Sequence, residues 1–204
     1  MNYGELKTHF NALLNRSDIT PALTTTFINQ GIARIQRQLR SPINERTADY
    51  TITGATPSII LPNDFLEIIS IYMGQYELQR TSMSRYRSLS QTAAVGIPQL
   101  FTREQQRLLL HPQPTSGTLT LYYYCDFPPL VNDADENDLT AVASDLVIYS
   151  SLTYAADYYL DERSSVFENK AGQFLSEIQE QANDQELNGG TQALLPAYRF
   201  DGDY

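Results

Sequence analysis

The sequence has few of the residues that catalysis, metal binding and disulfide bonding require. Its 204 residues include one cysteine and two histidines. Cys125 by itself can form neither an internal disulfide nor a thiolate zinc site, and we expect it to lie half-buried on a strand. His9 and His111 have no second histidine or cysteine at ligand spacing, so we expect both to be structural or surface residues.

Signatures of common enzyme classes are missing as well. The sequence contains no GxGxxG, GxxxxGKS/T, HExxH or GxSxG motif. Asp161 and Glu162 are adjacent, so on a helix their carboxylates would point about 100° apart and could not face one substrate atom. We therefore expect no enzymatic activity and no cofactor.

The sequence also lacks long apolar runs. No stretch of about eighteen apolar residues occurs, so no transmembrane helix is predicted. Met1 is not followed by the basic, apolar and small-residue regions of a secretory signal, and we expect the protein to be made and kept in a cytosol.

Basic residues are scarce, and their distribution is uneven. Lys and Arg number 14 against 24 Asp and Glu, which gives a net charge of −10. Residues 1–120 hold eleven basic and eight acidic residues (+3), whereas residues 121–204 hold three and sixteen (−13). Tight DNA binding needs a basic surface and is therefore disfavoured. A net negative surface suits a protein that DNA slides past without binding.

Apolar residues recur at helical spacing near both ends of the sequence. They predict helices over 3–15 and 21–40, the second capped by Thr20. They also predict a helix from about Leu139 to Leu160, on which Val142 belongs to the apolar face, and another over 163–186. The residues expected to be buried on the last helix are Val166, Phe167, Ala171, Phe174, Leu175 and Ile178.

Residues 47–130 have a different pattern, with alternating β-branched segments separated by glycine and proline. They predict short antiparallel strands, a hairpin at Met73-Gly74-Gln75 and a short helix over 82–91. The predicted fold class is thus α+β, mainly α: a helical bundle with an inserted small antiparallel β module and an extended C-terminal tail. The predicted domains are 1–46 and 131–187 (the bundle), 47–130 (the β module) and 188–204 (the tail).

Residues 131–138, which we call the acidic connector, begin like a calcium loop. Asp133, Asp135 and Asn137 occupy alternate positions. However, the sixth position, normally glycine, is Asp138, and the twelfth, normally glutamate, is Ser144. We expect a solvated connector in which Asn137 or Asp138 caps the next helix.

Two further features could meet partners. Arg34, Arg37 and Arg40 lie three residues apart on one side of the second helix, and we call them the arginine face. They could contact DNA or an acidic protein, or form a solvated stripe. The tail carries several apolar side chains that could either bind a partner or fold back on their own domain.

An ordered set of segments resembles the podovirus-type phage head-to-tail adaptor, or connector, proteins, which bind below the portal ring. The segments are LKTHFNALLNR, FINQGIARIQRQLR, LPNDFLEIISIYM, YRSLSQTAAVGIPQLFTRE, TLTLYYYCDFPPL and DLVIYSSLTYAADYYLDER. Together they span most of residues 1–187. The set in this order is more specific than any one segment.

The resemblance implies a structural protein of the virion at the head–tail interface, assembled in the host cytoplasm. Twelve copies would form a ring, attached to the portal above and to the tail nozzle or tubular tail protein below, with tail fibres as a further partner. DNA would pass through the ring without specific binding, and no membrane is involved. A head-completion stopper, a tail completion protein and, less favoured, a DNA-binding module using the arginine face with Arg80, Arg85 and Arg87 are the alternatives.

Within this reading the sequence offers two contact sites. In a ring each subunit contact joins two different patches, so the arginine face of one copy could meet the acidic connector of the next. That contact would use Arg34, Arg37, Arg40, Asp133, Asp135 and Glu136. The residues predicted to bind the portal are Leu194, Leu195, Tyr198, Arg199, Phe200 and Tyr204, because aromatic and arginine side chains are frequent interface anchors.

Overall fold

The predicted α+β fold, mainly helical, is confirmed by a computed structural model that describes residues 1–91 and 94–187. The helices of these residues are α1 (Tyr3–Leu14), α2 (Pro21–Gln38), α3 (Met83–Leu89), α4 (Asp138–Val142), α5 (Ser144–Tyr159) and α6 (Ser164–Leu187). The strands are β1 (Glu45–Ile52), β2 (Ser58–Ile60), β3 (Phe65–Met73), β4 (Tyr76–Glu77), β5 (Gln79–Arg80), β6 (Leu100–Glu104), β7 (Arg107–His111) and β8 (Gly117–Cys125).

The chain divides into two units, and the boundary corrects one prediction. Among the described residues, 1–4 and 42–142 form a β unit, while 5–41 and 143–187 form a helical unit. The single helix predicted from Leu139 to Leu160 is broken at Ala143, whose φ of −131° and ψ of 46° are not helical. Val142, expected on the buried face, is 62% exposed, because the break turns it away from the stripe that continues in α5.

Helices α1, α2 and α6 begin and end within about two residues of their predicted bounds, whereas α5 begins at Ser144 and not at Leu139. Thr20 caps α2 by accepting a hydrogen bond from the backbone N of Leu23 at 3.3 Å, and Pro21 occupies the first turn. The largest apolar side chains buried in this unit are Leu6, Phe10, Leu14, Phe27, Ile28, Ile35, Leu39, Leu146, Leu152 and Phe167. Leu39 directly follows α2, and the others lie on α1, α2, α5 and α6.

Two small residues set how closely α2 and α5 approach. A Cβ added to Gly31 would lie 2.4 Å from Oγ of Ser151 and 2.8 Å from its backbone N. Real Cβ atoms do not come this close to other atoms, so only glycine fits at this crossing. The Ser151 hydroxyl is itself satisfied, since it donates to the carbonyl of Val147 at 2.6 Å.

An arginine joins the end of α1 to the turn between α5 and α6. The Arg163 guanidinium donates to the carbonyls of Leu13 (3.2 Å) and Leu14 (2.9 Å), which the end of α1 leaves without helical partners. Asp161 accepts from Nη2 of Arg163 at 2.7 Å and from its backbone N at 2.9 Å. These hydrogen bonds lower the pKa of Asp161 to about 2. The turn is thereby fixed on the helical unit.

The prediction for α6 is confirmed in its length and partly wrong in its burial. Phe167 and Ala171 are buried, at 6% and 3% exposure. Val166, in contrast, is 51% exposed, because it is one residue, or about 100°, away from the Phe167 stripe. Phe174, Leu175 and Ile178 are only partly buried.

The β unit consists of two four-stranded sheets with one shared core. Their strand orders are β1-β8-β3-β4 and β2-β7-β6-β5, and their buried side chains form a single cluster that includes Ile71, Leu121 and Leu108. The strands are antiparallel as predicted, except that the two residues of β5 pair with β6 in parallel. The predicted hairpin connects β3 and β4, with Gly74 at φ +61°. Cys125, expected to be half-buried on a strand, is 2% exposed at the end of β8.

Replacing Gly31 by alanine should lower the free energy of unfolding by roughly 1–3 kcal/mol, the usual cost of overpacking a core. Gly172→Ala in α6 is the matched control, because its new Cβ would meet no atom within 4 Å. Removing this helical glycine should stabilise the protein by about 0.5–1 kcal/mol. Urea unfolding measures both effects, and a stabilising Gly31→Ala would contradict the close crossing of α2 and α5.

Replacing Asp161 by asparagine should destabilise the protein in a pH-dependent way. The folded pKa of Asp161, about 2, lies below its ordinary value of 3.8, so its carboxylate stabilises the fold above about pH 4 and loses this contribution as the pH falls toward 2. At neutral pH we expect Asp161→Asn to lower the free energy of unfolding by about 1.5–3 kcal/mol. The difference from the wild type should shrink between about pH 4 and pH 2.

Asp157→Asn, which changes an exposed carboxylate on the same turn, serves as the control and should have little effect. A destabilisation by Asp161→Asn that stays constant down to about pH 2 would show that the carboxylate charge is not what holds the turn.

Candidate assembly surfaces

The arginine face is partly engaged within its own chain. Nη1 of Arg34 donates to Oε2 of Glu168 at 2.7 Å, its Nη2 donates to Oε1 of the same carboxylate, and Nη1 also lies 3.4 Å from the Thr153 hydroxyl. The hydrogen bond from Arg34 lowers the pKa of Glu168. Arg34 therefore links α2 to α5 and α6 and is not free to meet another molecule without breaking these bonds.

The other two arginines of this face differ from each other. Arg40 donates to the carbonyls of Gln36 (3.1 Å) and Leu39 (2.7 Å), at the end of α2. Arg37 is exposed, and no side chain or carbonyl in the described part of the chain accepts a hydrogen bond from it. Of the three, Arg37 is the one positioned to bind an acidic group on another molecule.

The acidic connector uses its carboxylates to hold its own backbone. Asp135 accepts hydrogen bonds from the backbone N of Asn132 and of Val131, both at 2.8 Å, and these lower its pKa. Glu136 contacts the nitrogen of Met1. The carbonyl of Asp133 accepts from the backbone N of Gly4 at 2.9 Å. These groups order the connector as part of the β unit.

The cap predicted for the helix after the connector is confirmed at Asn137. Its Oδ1 accepts from the backbone N of Thr140 at 2.9 Å, and the Thr140 hydroxyl accepts from the backbone N of Asn137 at 3.0 Å. This reciprocal pair is a capping box. Within residues 1–91 and 94–187 no group of three or more His, Cys, Asp or Glu side chains is arranged to hold a metal ion.

The turn between α5 and α6 exposes two apolar side chains that the sequence analysis did not single out, Tyr158 and Leu160, and one that it expected to be buried, Val166. Tyr158 is 61% exposed, Leu160 is 89% exposed and Val166 is 51% exposed. We call residues 157–166 the α5–α6 corner. The sequence signal was present in YYLDER, where a leucine at a helix end is followed by charged residues and by no glycine, but periodicity alone could not place this leucine outside the core.

A second set of exposed apolar residues in the β unit lies at the end of α3 and in the segment that follows it in the sequence. It consists of Leu89 (37% exposed), Val95 (57%) and Ile97 (58%). Three arginines accompany it, and we call the whole set the α3 surface: Arg80, Arg85, Arg87, Leu89, Val95 and Ile97.

The helix beneath this surface is anchored on its other side. Ser82 caps α3 by accepting from the backbone N of Arg85 at 3.3 Å. Tyr86 is buried, with its ring edge-on to His111 at 6.3 Å. Arg85 and Arg87 therefore face solvent on either side of Tyr86, and Arg87 forms a long ion pair, 3.8 Å, with Glu104. The α3 surface is thus both basic and apolar.

The residues predicted to bind the portal, Leu194, Leu195, Tyr198, Arg199, Phe200 and Tyr204, lie outside the described residues. Among the helices of the described residues, none has the length and apolar character needed to span a bilayer.

Comparison with known proteins identifies the family. A family model for the SU10 adaptor protein matches residues 1–194. No curated protein matches the chain. Because the family match covers nearly the whole sequence, the resemblance inferred from the residues is confirmed. The chain belongs to the SU10 adaptor protein family, a family of phage head-to-tail adaptors.

Proposed function

We propose that the chain forms a ring of twelve copies that joins the portal to the tail tube or nozzle and surrounds the DNA channel. The family match over residues 1–194 carries this proposal. The protein would act in the virion at the head–tail interface, after assembly in the host cytoplasm. Tail fibres are a further partner in this proposal, and DNA passes through without specific binding.

The exposed apolar side chains support an assembly role. Leu160 is 89% exposed and Ile97 is 58% exposed, on different units of the fold. Exposed apolar groups of this kind are typical of surfaces that association covers. A ring contact joins two different patches, and the chain offers such patches on each unit. The net charge of −10 is consistent with a channel past which DNA moves without binding.

Two other functions make different predictions. A DNA-binding module would use the arginine face together with Arg80, Arg85 and Arg87, and its affinity would fall steeply as salt concentration rises. A head-completion stopper or a tail completion protein would form a ring at a lower level and would not bind the portal. Direct binding to the portal ring distinguishes the adaptor from both.

The first test measures mass by size exclusion with light scattering, for the protein alone and mixed with its cognate portal ring. We expect a complex heavier than the portal by about 277 kDa, twelve times the 23.1 kDa of one chain. Deleting residues 191–204 should abolish this complex, because it removes the proposed anchors Tyr198, Arg199 and Phe200. The deletion begins after the end of α6 at Leu187.

A full-length variant in which Tyr198, Phe200 and Tyr204 are serine separates loss of the anchors from loss of chain length, and it should also fail to bind. Binding retained by both variants would place the portal contact elsewhere in the chain. A wild-type protein that forms no complex with the portal would shift the assignment to a lower position in the tail.

We propose that the arginine face of one copy contacts the acidic connector of the neighbouring copy, at Asp133, Asp135 and Glu136. Substitutions in the arginine face test this subunit contact. Arg37→Glu should then reduce ring assembly while leaving the stability of the subunit within about 0.5 kcal/mol.

Arg34→Glu is the comparison variant, because Arg34 already binds Glu168 in its own chain. It should lower the thermal midpoint of the isolated subunit as well, since two carboxylates would then face each other. Unchanged assembly by Arg37→Glu would remove the arginine face from the ring contact.

A further inference from the structure

We infer that neighbouring subunits of the ring join by inserting Leu160, on the α5–α6 corner of one copy, into the α3 surface of the next copy. The inference rests on the proposed ring and names two patches of its subunit contact. It uses residues other than the arginine face and the acidic connector.

Leu160 is unfavourable in the isolated subunit in two ways. Its φ of 53° and ψ of 43° are left-handed, a conformation that glycine and asparagine adopt readily and that is strained for a leucine. Its side chain is 89% exposed, so it gains almost nothing from burial within its own unit. The left-handed conformation ends α5, since the Leu160 backbone N donates to the carbonyls of Ala156 and Asp157. The side chain has no comparable role in its own unit, and a leucine at this strained position is explained if a partner buries it.

The corner is held rigid before any partner binds. Asp161 and Arg163 fix the turn through the hydrogen bonds to the end of α1. The Arg16 guanidinium lies 4.1 Å from the centre of the Tyr159 ring, and Tyr158 packs edge-on against Tyr159 at 4.8 Å. Because the corner is already ordered, association would not have to order it.

Charge identifies the occupant as a second copy of this chain. The exposed carboxylates of Asp157 and Glu162 flank Leu160, and neither has a hydrogen-bond partner for its side chain within the described residues. On the α3 surface, Arg80, Arg85 and Arg87 are exposed, as are the apolar Leu89, Val95 and Ile97. An apolar centre with a rim of opposite charge on each side is the usual anatomy of an interface.

The pairing also agrees with the symmetry of a ring. In a ring one patch meets a different patch on the next copy, so that the contact repeats around the axis. Two corners facing each other across a two-fold axis would place Asp157 and Glu162 of one copy against the same carboxylates of the other. The charges therefore favour the head-to-tail arrangement.

A charge exchange tests the contact. Variant A carries Asp157→Arg and Glu162→Arg, and variant B carries Arg85→Glu and Arg87→Glu. In a ring made of either variant alone, the two surfaces of each contact would carry charges of the same sign. Each variant should therefore assemble at least about tenfold less than the wild type, both in the absence of the portal and on the cognate portal ring. A one-to-one mixture of A and B should restore assembly, because each copy then alternates with a neighbour of opposite charge. A chain carrying all four substitutions should restore it too.

The helix dipoles favour one substitution of each variant and oppose the other. Asp157→Arg in the last turn of α5 and Arg85→Glu at the third position of α3 are favoured, whereas Glu162→Arg just before α6 and Arg87→Glu in the last turn of α3 are disfavoured. The two effects offset each other within each variant, so circular dichroism of each variant should match the wild type.

Leu160→Gly tests the anchor separately. Its thermal midpoint should stay equal to that of the wild type or rise by about 2–4 °C, because the left-handed strain is removed. Its assembly should fall at least about tenfold. Ile60→Ser, at a side chain that is 67% exposed on β2, is the control and should assemble normally.

The outcomes separate this contact from the ring itself. A wild-type protein that forms no oligomer, alone or on the portal, would overturn both the ring and the contact. A wild-type ring accompanied by normal assembly of variant A, variant B and Leu160→Gly would overturn the contact alone. Loss of assembly by A and B without recovery in their mixture would show that the two surfaces do not face each other.

Discussion

The helical unit depends on a close crossing between two helices that are far apart in the sequence. Gly31 of α2 has no room for even a Cβ atom against Ser151 of α5. The β strands lie between these two residues in the sequence, so the chain must return to α2 after the whole β unit before this crossing can form. Contacts of such long sequence separation are slow to form and close a large loop. The bond from Arg34 to Glu168 then adds α6 to the same pair of helices.

The helices and helix caps that were predicted correctly depend on residues close together in the sequence. Apolar periodicity predicted α1, α2 and α6, and the caps at Thr20 and Asn137 involve atoms only three residues away. The break at Ala143 could not be predicted in this way, since no glycine or proline marks it. It coincides with the boundary between the two units, which is a property of the tertiary fold and not of the sequence around it.

Candidate assembly residues were harder to predict for the same reason. The sequence placed Arg34 on an exposed face, but its partner Glu168 is 134 residues away. Asp135 and Glu136 looked available, yet both contact groups of their own unit. Val166, in turn, was assigned to a buried stripe and is exposed, and Leu160, predicted only as the end of its helix, is exposed as well. The charged and apolar residues can be counted from a sequence. Whether one of these side chains contacts its own chain or another molecule, however, depends on residues that are far away in the sequence.

The proposed ring also limits where its binding energy can lie. Twelve copies with a net charge of −10 each repel one another at low salt, and at physiological salt this repulsion is screened beyond about 8 Å. Favourable contacts must therefore come from groups that touch, with opposite charges close to buried apolar side chains. The α5–α6 corner and the α3 surface satisfy this condition, because the exposed carboxylates of Asp157 and Glu162 accompany Leu160 on the first and the exposed Arg85 and Arg87 accompany Leu89 on the second. The remaining acidic surface would then be free to face the DNA channel without attracting the DNA.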